Sequence, residues 1–155
     1  PYGTEALSTL RIEMGHVAGS ELDGRTIPYD NSLEGMISKK KDFIGKRSLN
    51  RKAFITEDRQ KVVGVVPIDK KTSIPEGSHL VRDAKAKLPN PKLGYISASC
   101  WSVEYDNPFS LAILKDGKNM IGQKLFAMSP LKNITIPVEI VSSHYVDPKG
   151  ERVRS

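Results

Sequence analysis

The strongest constraint on the fold is a change of pattern at Glu57-Asp58. Before it, apolar residues recur at three- and four-residue steps; after it, β-branched and alternating segments run to the end of the chain. The two periodicities belong to different elements, because side chains stack on one face of a helix every third or fourth residue and alternate between the faces of a strand. The second stretch predicts strands over Lys61 to Ile68, Ser78 to Val81, Leu93 to Trp101, Ser110 to Leu114, Lys124 to Met128 and Ile134 to Val141. Between them lie Pro75-Glu76-Gly77, Pro89-Asn90-Pro91, Asn107-Pro108, Asp116-Gly117 and Pro130, residues that turn a chain or cannot continue a ladder. Short strands at this spacing predict an all-β barrel or sandwich of roughly 85–90 residues.

The first stretch reads differently. Ala6, Leu7, Leu10 and Met14 predict a short amphipathic helix over Thr4 to Met14, with Thr4 as N-cap and Gly15 as its stop. Gly19 to Pro28 predicts an ordered loop, Glu34 to Ser38 a short strand, and Ile44 to Ile55 a second helix capped by Asp42. The fold class expected is therefore α+β: a short helical segment over 1–57, then a six-stranded antiparallel barrel over 58–155. A chain of 155 residues suits one domain with a modest core, or a small domain plus the tail of another, and leaves room for two core clusters.

Composition narrows the chemistry. The net charge of +6 invites a polyanion reading, but outside Lys39-Lys40-Lys41 and the nearby Lys46, Arg47, Arg51 and Lys52 the basic residues are interspersed with acids. Stacking platforms for single strands need exposed aromatics in a basic groove, and 6% of the chain is aromatic. No nucleic-acid partner is expected. The apolar runs Val62 to Pro67 and Leu111 to Leu114 are far shorter than the ~20 residues that cross a bilayer. No membrane partner is expected, and a soluble, cytoplasmic protein is. Cys100, the single cysteine, allows no internal disulfide and reads as a core thiol. His16, His79 and His144 stand 63 and 65 residues apart with no ligand at metal-binding spacing, so no metal site is expected. Neither a nucleophile elbow nor a phosphate-binding glycine loop occurs. Pro1 at the start, followed at once by a helical pattern, reads as a fragment of a longer chain.

Within the loop, Glu21 and Asp23 suit either acid-base work or the fixing of a turn through backbone N–H groups, and the second is favoured. Arg11 and Glu13, two apart on a helix, should meet different neighbours. Trp101 is expected in the core, whereas Tyr145, beside His144 at the end of the last strand, is the more open aromatic.

The order of several short motifs goes further. Gly3-Thr4-Glu5-Ala6-Leu7-Ser8-Thr9-Leu10-Arg11-Ile12-Glu13-Met14-Gly15, then Gly19 to Pro28, then Asp42-Phe43-Ile44-Gly45-Lys46, resembles the glycine-cleavage T-protein (aminomethyltransferase) family. Gly94-Tyr95-Ile96-Ser97 and Ser110-Leu111-Ala112 look like two strands of that family's final barrel. Tyr2 to Leu7, Ser38 to Lys41 and Asp147 to Arg152 look most like the sarcosine oxidase alpha-subunit branch. Where a T-protein carries an Arg-Asp pair whose Arg reaches folate, this chain has Leu7-Ser8, which also favours that branch.

The resemblance implies a C-terminal segment that helps hold tetrahydrofolate while it captures the one-carbon unit released when sarcosine is oxidised. It implies FAD, FMN and NAD elsewhere in the parent enzyme. Partners implied are the upstream part of the same subunit and the other oxidase subunits. The family's pterin-binding Glu and catalytic Asp lie upstream, so no catalytic residue is expected here and the segment alone should not turn over. His16 falls where relatives place a ring near the pterin, and Tyr145 is the second candidate folate contact. Alternatives from the sequence are a segment of a glycine-cleavage T-protein, a dimethylglycine-dehydrogenase-like aminomethyltransferase, or a basic barrel that binds nucleic acid or scaffolds subunits.

Overall fold

The computed structural model describes residues 1–56, 58–85, 89, 91–152 and 154; Glu57, at the expected boundary, and Asn90, in an expected break, lie outside the described residues. Strands β1 (Gln60–Pro67), β2 (His79–Val81), β3 (Gly94–Ser102), β4 (Asn107–Lys115), β5 (Lys124–Ser129) and β6 (Ile134–Val141) match the six expected within a few residues at each end. They close a barrel in the order β1-β4-β3-β2-β5-β6, with β6 returning to β1 and every pair antiparallel. Closure leaves no sheet edge unpaired.

Alternation sets the interior. On β6, Ile136, Val138 and Ile140 point inward while Thr135, Pro137 and Glu139 are exposed. Strands β1 and β4 are buried on both faces, because Val63, Val65, Ala112 and Leu114 fill the barrel while Val62, Val66, Phe109, Leu111 and Ile113 form a second cluster outside it with Ile12. The two clusters are thus the inside and one outer flank of one barrel. A bulge at Ser97 switches β3 between them: Ile96, opposite Ala112, faces inward, and Ala98, opposite Leu111, faces the outer cluster.

The outer cluster is covered by the N-terminal stretch. Helix α1 (Thr4–Glu13) forms where expected and stops at Gly15, whose φ of 70° is readily adopted only by glycine. A side chain there would place its Cβ 2.5 Å from the Ser143 carbonyl oxygen, so the glycine also lets the chain lie against the segment after β6. Five expectations fail. Thr4 is not the cap: Gly3 takes that position without a side-chain bond. The stripe of Leu7 and Leu10 stays about half exposed, because the helix is buried against the barrel only at its end, through Ile12 and Glu13. The expected strand over Glu34 to Ser38 is a 3-10 turn, Glu34–Met36. The expected helix over Ile44 to Ile55 breaks into one turn, α2 (Lys46–Leu49), and a 3-10 turn, Lys52–Phe54. Gly45 caps α2 in the left-handed region in place of Asp42, and extended Arg51 interrupts the run. Ile44 has no core to reach and is fully exposed.

Candidate functional site

Among the described residues, most buried polar side chains lie at the seam between the N-terminal stretch and the barrel. At the end of α1, buried Glu13 accepts the Ser102 hydroxyl at 2.6 Å through Oε1. Its backbone carbonyl accepts the N–H groups of Tyr145 at 3.1 Å and Val146 at 3.0 Å. Glu13 therefore ties α1, the end of β3 and the segment after β6 to one point. The Tyr145 ring stacks on Phe109 with centroids 4.2 Å apart and planes within 4°, and Tyr105 tilts against it at 4.6 Å. Its hydroxyl exchanges hydrogen bonds with the Asn107 side-chain amide at 3.1 and 3.2 Å. His16 leaves the same seam into solvent, its backbone held by Arg11: His16 N–H donates to the Arg11 carbonyl at 2.8 Å, and its carbonyl accepts Arg11 Nη1 at 3.3 Å. The fold brings the segments bearing His16 and Tyr145 together; it leaves the imidazole exposed and packs the phenol.

Glu21 and Asp23 fix the loop, as favoured. Glu21 is fully buried: Oε2 accepts the Ala18 N–H at 2.9 Å and Arg11 Nη1 at 3.2 Å, and Oε1 accepts the Ser20 hydroxyl at 3.1 Å. Asp23 accepts the Arg25 N–H at 2.8 Å, and the Arg25 guanidinium beside it holds its carboxyl below the usual range. Arg11 and Glu13 do meet different neighbours, Glu21 and Ser102.

A second tie was not legible in the sequence. Arg59, entering β1, pairs with Asp30, Nε to Oδ1 at 2.8 Å and Nη2 to Oδ2 at 2.5 Å, while Nη1 donates to the Ala53 carbonyl at 3.0 Å. Asp30 also accepts the Ile27 N–H at 3.1 Å on Oδ2, and its carbonyl accepts the Val62 N–H at 2.8 Å. The guanidinium lies 5.4 Å from the Phe54 ring centre. Beside this tie is a cavity of about 460 Å³ reached by Tyr29, Phe54, Arg59, Lys61 and Lys118. A smaller one of about 270 Å³ shares Glu34, Lys61 and Lys118 and runs on to Ser143 and His144. Lys61 pairs with Glu34 across the shared wall.

Two sequence expectations part company here. Cys100 does pack beside the outer cluster, and burial, reinforced by the Glu13 charge, pushes its thiol up to about 12. A thiol so protonated is a poor nucleophile at neutral pH. Trp101 is not a core residue: it is 45% exposed, with Nε1 donating to Asp106 Oδ1 at 3.3 Å. By alternation after the bulge it shares the side of Ser99, whose hydroxyl meets that of Ser110, but it pairs with Pro108 next to the turn, beyond the last interior layer. Among the described residues no group of three or more His, Cys, Asp or Glu is placed to hold a metal ion, and no helix is long and apolar enough to cross a membrane.

Comparison with known proteins fits this architecture. No family model matches the chain. In fold it is similar to the glycine cleavage system aminomethyltransferase T of Bartonella henselae, with a TM-score of 0.68 over 92% of this chain and 38% of that one, at 19% identity. In sequence it is 38% identical to the sarcosine oxidase subunit alpha of Rhizobium meliloti over 99% of its length. It is 36% and 37% identical to those of Corynebacterium strains P-1 and U-96 over 98%. It spans 16% of the length of each of these relatives. Along nearly its whole length, then, the chain is a homologue of one stretch of the sarcosine oxidase alpha subunits.

Proposed function

We propose that this chain is the folate-site segment of a sarcosine oxidase alpha subunit, in which tetrahydrofolate captures the one-carbon unit released by oxidative demethylation of sarcosine. The observation that carries the reading is the match of nearly the whole chain to sarcosine oxidase alpha subunits at 36–38% identity. In this reading residues 1–57 are the end of a folate-binding domain and residues 58–155 its companion barrel. The oxidising cofactors, FAD, FMN and NAD, sit elsewhere in the parent enzyme. The partners are the rest of the same subunit and the other subunits of the oxidase.

Tetrahydrofolate supplies the amine nitrogens that take up the one-carbon unit. The chain's own part is to position and shield. The imidazole of His16 is exposed and makes no side-chain hydrogen bond among the described residues, so it is open to a ring or a polar edge of the pterin. Tyr145 has its ring and hydroxyl engaged by Phe109 and Asn107, so it reaches folate only by its remaining edge and otherwise sets the seam behind His16. In this reading the bond-breaking groups lie elsewhere in the subunit, and the chain alone is not expected to turn over.

The test uses the assembled oxidase with sarcosine carrying ¹³C in its methyl group and saturating tetrahydrofolate. Substituting His16→Ala should move label from methylenetetrahydrofolate to free formaldehyde while the rate of sarcosine oxidation stays the same. Unchanged partition in both His16→Ala and Tyr145→Phe would remove these two residues from the folate site. Absence of labelled methylenetetrahydrofolate in the wild type would overturn the function itself.

A further inference from the structure

We infer that the cavity of about 460 Å³ beside the Asp30–Arg59 pair binds a small molecule with one carboxylate and an apolar body. Its size lies within the usual ~300–1,000 Å³ of small-molecule sites. Its walls divide by chemistry. Tyr29, Phe54 and Ile55 offer apolar surface, and Arg59, Lys61 and Lys118 supply cations.

Charge decides the class of ligand. Arg59 is held by Asp30 and Lys61 by Glu34, so these cations are compensated. Lys118 is exposed, lines the same cavity and has no ion pair among the described residues. Among the described residues the cavity thus carries one uncompensated positive charge, which matches a carboxylate and falls short of a phosphate monoester, charged about −1.5 to −2 at neutral pH. The Arg59 guanidinium has five N–H donors, of which Asp30 and the Ala53 carbonyl take one each from Nε, Nη1 and Nη2. That leaves two donors, one on Nη1 and one on Nη2, for a second oxygen. Because Arg59 is locked between Asp30 and the Phe54 ring, those donors are fixed before the ligand arrives, which lowers the entropic cost of binding.

This site stands apart from the folate reading, since it rests only on the walls of the cavity. The test is a titration of the full ¹⁵N-labelled chain with benzoate, with benzamide as the uncharged isostere and inorganic phosphate as a bare anion. Benzoate should shift the amides of Tyr29, Phe54, Lys118 and Asn119, with an affinity at least about tenfold above that of benzamide, as expected for one ion pair in a half-enclosed site. Lys118→Gln should bring the two ligands within about twofold of each other while leaving the free spectrum otherwise intact. No binding of benzoate, equal binding of benzamide, or shifts centred on Lys39 to Lys41 would overturn the proposal. So would inorganic phosphate matching benzoate at the same residues, because the site would then select a bare anion.

Discussion

Arg59 and Asp30, separated by 29 residues in sequence, form a two-point ion pair that fastens the N-terminal stretch to the first strand of the barrel. Asp30 is 1% exposed and Arg59 21%, so the pair is nearly dry on one side. Removing one partner strands the other. Asp30→Asn or Arg59→Met should destabilise the chain by about 3 kcal/mol. Hydrogen exchange should show the loss at Ile27 and Val62, whose N–H groups Asp30 holds, while β5 and β6 keep their protection. Equal acceleration throughout the barrel would show that the pair supports the whole fold and not the seam.

Gly64 tests the packing of the outer flank. It sits in β1 beneath Phe109, and a Cβ there would lie 2.3 Å from the Ser142 carbonyl oxygen and 2.7 Å from the Phe109 ring. A backbone oxygen cannot swing aside as a side-chain tip can. Gly64→Ala should therefore cost about 3 kcal/mol in denaturant unfolding. At Gly24, where a Cβ meets nothing within 4 Å, Gly24→Ala should change stability by less than about 1 kcal/mol.

Trp101 is the chain's single tryptophan, which makes its exposure directly measurable. Emission should be red-shifted and readily quenched by iodide, and Trp101→Phe should alter stability by less than about 0.5 kcal/mol. Blue-shifted, protected emission would return the indole to the core.

The Cys100 thiol gives a pH signature. Its value is raised from 9.0 to about 12, chiefly by burial, so the native state holds the proton more tightly than the unfolded chain. The stabilisation is fully present below about 9 and is lost as pH rises toward 12. Cys100→Ala should flatten the decline in stability over that window. At pH 8 native alkylation by iodoacetamide should be at least about 100-fold slower than in the unfolded chain, since the thiolate is the reacting form.

Legibility in the sequence followed the range of the physics. Strand β6 announces itself because Ile136, Val138 and Ile140 alternate with exposed neighbours, and one strand's own pattern carries that information. Gly15 likewise marks the end of α1 locally. The stretch Ile44 to Ile55 misleads for the converse reason: its apolar residues have helical spacing, but Gly45 and Arg51 adopt non-helical backbone and Ile44 finds no core. Trp101 is misplaced because a bulge at Ser97 and the nearness of the turn, not its residue type, decide where it lies. In the site, Glu21 and Asp23 could be read as turn-fixing acids because the backbone N–H groups that donate to them are close in sequence. Asp30, Arg59 and Lys118 could not, since only the docking of the N-terminal stretch on the barrel brings them to one cavity.

The most direct test of the folate role is hydrogen exchange on the assembled oxidase with and without folinic acid. Amides at the seam, from Glu13 to Ala18 and from Ser143 to Val146, should exchange at least about fivefold more slowly when the ligand is bound. Protection confined to the rest of the subunit, with these two segments unchanged, would contradict a folate site completed by this chain.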